Sequence, residues 1–104
     1  MIRVSVMYPH AKGARFDVAY YAGKHMDMAR KAFARHGLID IRVDRGLVGP
    51  QPKSPPTYLC VGTLTFESMA GYKEAFREHG AALMADLPNF TDIQPLVQVS
   101  EGVL

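Results

Sequence analysis

The chain has 104 residues, with 12 basic and 10 acidic side chains and a formal charge of +2, which bounds it to one domain over residues 1–104 with a modest core. Its single cysteine, Cys60, excludes an intramolecular disulfide and points to a reducing, cytoplasmic setting. Scattered Lys and Arg without a basic stripe or stacking motif argue against nucleic acid as a partner, and no apolar run approaches the roughly 18 residues of a membrane helix.

The first segment, MIRVSVMYP, alternates Ile2, Val4 and Val6 against Arg3, Ser5 and Met7, the period of a strand. It is too short and too alternating for the apolar region of a signal peptide. After a loop marked by Pro9, Lys12 and Gly13, Asp17 is placed to cap a helix, its carboxylate accepting free backbone N–H groups. Val18, Tyr21, Ala22, His25, Ala29, Ala32 and Phe33 recur at three- and four-residue spacing, which predicts an amphipathic helix to about His36, ended by Gly37.

Leu38 to Leu47 alternates Ile39, Ile41 and Val43 with Asp40, Arg42 and Asp44, predicting a second strand. Gly46 to Pro56 holds two glycines and four prolines; a connection this long is a candidate lid. Tyr58 to Phe66, rich in β-branched and aromatic residues, reads as a third strand. Ser68 then caps a second helix with apolar positions Met69, Tyr72, Phe76, Leu83 and Leu87, which Gly80 is expected to bend or divide. Pro88-Asn89 breaks the chain before a fourth strand, Ile93 to Val99, where Pro95 favours an edge position.

The order β-α-β-β-α-β predicts a ferredoxin-like α+β domain: a four-stranded antiparallel sheet with two helices on one face. Strands 2, 3 and 4 then leave Leu59, Val61, Thr63, Leu96, Gln98 and their alternating neighbours on two faces, neither wholly polar. A soluble chain avoids an uncovered apolar patch, so the open face is expected to pair with a second copy, giving a homodimer in the form of a dimeric α/β barrel.

Chemistry is sought in the histidines. His25 lies on the stripe of the first helix and His79 on or beside that of the second, so both imidazoles are expected in the space between helices and sheet. There they would move protons, as general acid or base, among tyrosines. Tyr21 and Tyr72 are candidate ligand contacts, and Cys60 joins them if it faces the helices beside an imidazole. Each has a plainer reading: a core histidine donating to a carbonyl, a core aromatic (Tyr8, Tyr21, Tyr58, Tyr72), a buried thiol. His10 and His36 fall at a loop and a helix end. His25 and His79, with no inward Glu or Asp beside them, make a poor metal site, so none is expected. No phosphate loop, GxGxxG, GxSxG, HExxH or CxxC is present, and no cofactor is expected. Gly62 leaves room for either a ligand or close helix packing.

MIRVSVMYP followed by FDVAYYAGKHMDMARKAF resembles the opening of EthD-type proteins, with Phe16, Asp17, Tyr20, Tyr21 and His25 on the helix-start pattern F-[DE]-x-x-[YH]-[YW]-x-x-x-H. YLCVGTLTFESMAGYKEAF and LPNFTDIQPLVQVSEGV resemble the family's third strand, second helix and closing turn. The resemblance spans nearly the whole chain and implies the dimeric α/β barrel superfamily, which includes cofactor-free monooxygenases, muconolactone isomerases, polyketide cyclases and haem-binding members. The name-giving member is linked to degradation of a fuel ether alongside a cytochrome P450 system. Several relatives rely on a histidine between helices and sheet, which the resemblance carries onto His25 and, by extension, His79. It implies a cofactor-independent enzyme of oxygenase, isomerase or cyclase type acting on a small apolar, aromatic or ether compound. The alternatives are a non-catalytic small-molecule-binding or accessory dimer protein, and a structural dimer module.

Overall fold

The computed structural model describes all residues, Met1–Leu104. Strand β1 (Ile2–Pro9) leads through a short α1 (Val18–Tyr20), a π-helical turn (Tyr21–His25), α2 (Met26–Phe33) and a 3-10 turn (Ala34–His36) into β2 (Leu38–Arg45). Strand β3 (Tyr58–Phe66), α3 (Met69–Ala85), a 3-10 turn (Leu87–Asn89) and β4 (Leu96–Glu101) complete the chain. The strands form one sheet in the order β2-β3-β1-β4, with every neighbour antiparallel. Each βαβ half therefore sets its two strands parallel with one strand between them, the ferredoxin-like arrangement. No helix is long and apolar enough to cross a membrane.

Both expected N-caps form: Asp17 accepts from the Tyr20 N–H at 3.0 Å and Ser68 from that of Gly71 at 3.1 Å. Gly37 sits in the left-handed region, φ 82°, and ends the first helical stretch. Gly80 does not divide α3, which runs unbroken from Met69 to Ala85; one glycine costs a packed helix too little to interrupt it.

The helical phase of the first stretch departs from expectation. Ala22 is exposed and Met26 is buried in its place. The cause is the π-helical turn, in which the Met26 N–H bonds the carbonyl of Tyr21, five residues back. In an ideal α-helix Met26 would point well away from Tyr21; the wider turn brings Tyr21, His25 and Met26 to the same buried side.

Ile2, Val4, Val6 and Tyr8 of β1 share the helix-covered face with Cys60, Leu64 and Phe66 of β3. In β2 the register slips between Leu38 and Asp40. Leu38, Ile41 and Val43 therefore join the core, while Ile39 is turned out and 48% exposed. The fourth strand starts at Leu96, not Ile93: Ile93 spends its N–H on the Thr91 hydroxyl at 3.0 Å, and Pro95 has none to give. β4 is an edge strand, as Pro95 required.

The register puts Val61, Thr63, Leu96 and Gln98 together on the side away from the helices, with Leu96 and Val61 flanking Met7 in one row. Leu59, at the irregularity between β1 and β3, packs against the core instead. Gly62, on the covered side, answers to packing: a Cβ there would lie 2.0 Å from the Tyr21 hydroxyl and 2.9 Å from the Met26 methyl.

Candidate functional site

The space between helices and sheet holds a cavity of about 60 Å³. Val6, Leu64 and Val97 form its floor, Met26, Ala29 and Phe33 its helical wall, and Met84 with Leu87 its other side. Twelve of the fourteen lining residues are hydrophobic, so any polar group among them acts in a weakly screened setting. Apart from the phenols of Tyr8 and Tyr21, the ionisable group on the wall is His25.

His25 is held from behind. Its Nδ1 lies 2.9 Å from Oδ2 of Asp86, the residue that ends α3. The other carboxylate oxygen of Asp86 accepts from the Tyr20 hydroxyl and from the Asn89 side-chain amide, each at 2.8 Å. A carboxylate at a helix C-terminus faces the negative end of the dipole, and burial also opposes its charge. The three donors from Asn89, His25 and Tyr20 outweigh both, and the carboxyl stays below its ordinary value.

An ionised carboxylate only accepts hydrogen bonds, so Nδ1 of His25 carries a proton and donates it. Nε2 of neutral His25 is then a lone-pair base. It has no hydrogen-bond partner, yet no sealed side-chain nitrogen or oxygen in the molecule lacks one. It is therefore accessible, on a residue that lines the cavity.

Aromatic packing fixes the ring. His25 stacks on Tyr21 with centroids 5.4 Å apart and lies 4.8 Å from Phe90. Tyr8 stays protonated, pushed up to about 12 mainly by burial, and burial pushes Tyr21 higher still. Both are hydroxyl donors near neutral pH.

His25 and Tyr21 thus meet on the cavity wall, and the other candidates lie elsewhere. Tyr72 packs between Phe66 and Phe76 without reaching the cavity. Cys60 is buried across from Tyr8, and burial raises its thiol to about 11, so it supplies no thiolate. His79 is half-buried on the outer side of Phe33, its ring 6.3 Å from that ring and 5.7 Å from that of His36. The expected convergence of His25 and His79 does not occur. No residue of the Gly46–Pro56 loop lines the cavity.

The reading that no acid stands inward beside His25 is overturned by Asp86. It sits three residues after Leu83 on the same stripe, a spacing that could have marked it. Asn89 reads in the sequence only as half of the Pro88-Asn89 break, and Phe90 directly after it falls on no helical or strand period.

The family described as EthD domain matches residues 13–94. An EthD-like protein from Ralstonia eutropha JMP134 is 37% identical, with TM-score 0.94, over 99% of this chain and 92% of that one. An ethyl tert-butyl ether D (EthD) family protein from Bacillus halodurans C-125 is 20% identical, with TM-score 0.74, over 99% of each chain. A dimeric ferredoxin-like protein from an uncultured marine organism is 12% identical, with TM-score 0.59, over 100% and 96%. No curated protein sequence matches the chain.

Proposed function

Since this chain belongs to the EthD domain family, we propose that it performs proton transfer of isomerase or cyclase type on a small, largely apolar molecule, with its own side chains as acid and base. The observation that supports this is the His25 imidazole, held by Asp86 at Nδ1, lining the apolar cavity and without a hydrogen-bond partner at Nε2. Nε2 would take a proton from an activated carbon of the ligand and return it at another position. Asp86 holds the tautomer and offsets the charge that forms on the ring.

The cavity is small. An engineered cavity of about 150 Å³ accepts benzene, so a ring-sized ligand enters here only as flexible side chains such as Met26 and Met84 give way. Its apolar walls also favour a second reading, a non-catalytic binder of a small apolar compound.

Solvent-deuterium exchange separates the two. Small ketones, phenols and ethers are screened for binding by ligand-observed NMR, and binders are then followed for deuterium uptake at carbon. Wild type should catalyse uptake, and His25→Ala should bind with exchange slowed about 10²- to 10⁴-fold. Binding without exchange in wild type would leave the binder reading; equal exchange in His25→Ala would remove His25 from the chemistry.

The open sheet face is proposed to cover itself with a second copy. Met7, Val61 and Leu96 run in one row across β4, β1 and β3, and Leu96 is 53% exposed. The same face on each protomer gives a closed twofold contact. In light scattering after size exclusion, wild type should run as a dimer and Leu96→Lys with Val61→Asp as a monomer. A monomeric wild type at tens of micromolar would sink the idea.

A further inference from the structure

Away from the cavity, the groove between the end of the first helical stretch and α3 collects His36, Glu78 and His79. Nε2 of His36 is 3.2 Å and Nε2 of His79 3.4 Å from the same oxygen, Oε2 of Glu78. One donor atom from each residue lies within 4.8 Å of the others. Bonds of about 2.0–2.1 Å to a tetrahedral zinc ion set its ligand atoms about 3.3–3.4 Å apart. Two of the three separations already have that length, and a small rotation of either imidazole closes the third.

We propose that His36, Glu78 and His79 form a binding site for a borderline divalent cation such as zinc, clasping the 3-10 turn at Ala34–His36 to α3. Two neutral imidazoles and one carboxylate suit such an ion, and the three-ligand set leaves a fourth position to solvent. Neighbouring charges do not forbid it. Lys31 is paired with Asp27 at 2.9 Å. Arg77 gives its Nε and Nη2 to Glu74. Its remaining contact, 3.6 Å, is to the other oxygen of Glu78, so Oε2 stays available. Arg35 is the one cation of the groove wall without an ion pair. A His–Glu–His cluster of two half-buried imidazoles on an exposed carboxylate, without an ion, is the plain alternative, and it predicts no metal affinity above that of scattered surface histidines.

The test uses the full chain, stripped with chelator and titrated with zinc chloride by calorimetry, with thermal melts alongside. Wild type should bind one ion per chain and melt at higher temperature when loaded. His36→Ala, His79→Ala and Glu78→Gln should each weaken binding about tenfold or more, and His10→Ala, in an exposed loop, should not. Because a groove variant could perturb folding, wild type is also followed by NMR. Zinc should shift the His36 and His79 ring signals and spare those of His25. Cobalt should give the absorption of a tetrahedral ion. Equal zinc affinity in wild type and the His36→Ala/His79→Ala double variant, or ring shifts confined to His10 or His25, overturns the proposal.

Discussion

Phe90→Ala is expected to lower the unfolding free energy by about 3–5 kcal/mol, the usual loss for emptying a buried phenylalanine site. Phe90 is fully buried, and its ring lies 4.8–6.1 Å from those of Tyr8, Phe16, Tyr20, Tyr21 and His25. No smaller side chain can hold five rings apart, and the backbone around it cannot collapse freely. Its carbonyl accepts from Asp17 at 2.8 Å and its N–H donates to Leu87 at 2.9 Å. A domain of this size commands only about 5–15 kcal/mol in total, so the variant should sit near the edge of folding. Phe90→Leu keeps more of the volume and should lose less. Urea denaturation followed by circular dichroism measures both. A loss under about 1 kcal/mol with unchanged slope would mean that Phe90 is not the keystone of the aromatic cluster.

Asp86→Asn should leave the fold standing and disarm the site. The amide can present its NH₂ to His25, which moves the ring proton from Nδ1 to Nε2 and turns a base into a donor. Proton-transfer rates should fall about 10²- to 10⁴-fold with ligand affinity changed far less, and the pH profile of the residual rate should differ from that of wild type. Rescue by Asp86→Glu, which restores a carboxylate, would mark a positioning role that a bland packing role would not show.

Stability should follow a defined pH course as well. The Asp86 carboxyl is lowered in the folded state from its ordinary value of 3.8, so the folded protein holds its proton less tightly than the unfolded chain does. Its stabilisation is complete above the unfolded value and fades as pH falls below it through the lowered folded value. The gap between wild type and Asp86→Asn, about 1–3 kcal/mol at neutral pH for a buried group losing charged partners, should therefore narrow in acid. A gap constant from pH 7 to pH 2 would show that the carboxylate charge contributes nothing.

His25 was readable because one element carries it: an imidazole on an apolar helical stripe stands out by spacing alone. Asp86 was not, although it completes the same site, because its role depends on α3 ending beside the first helical stretch. His79 was misplaced for a related reason. Spacing gave its approximate side of α3, yet a small rotation of the helix decides between the cavity and the outer groove, where His36 and Glu78 receive it. Ala22 and Met26 exchanged places because a π-helical turn changes the phase, and nothing in local propensity announced that turn.

By itself the sequence determined what depends on near neighbours. Period-2 and period-3.6 patterning chose the strands and helices, Asp17, Ser68 and Gly37 set helix ends, and Pro95 kept β4 at an edge. Together with the EthD-like motifs these chose the ferredoxin-like order. Only the tertiary structure decided which side chains meet. The pairing of His25 with Asp86 spans 61 residues, and Phe90 reaches back across the chain to Tyr8 and Phe16. Such contacts come from the packing of helices against a sheet, where one degree of freedom, the rotation of each helix about its axis, selects a functional site from several that the sequence allows.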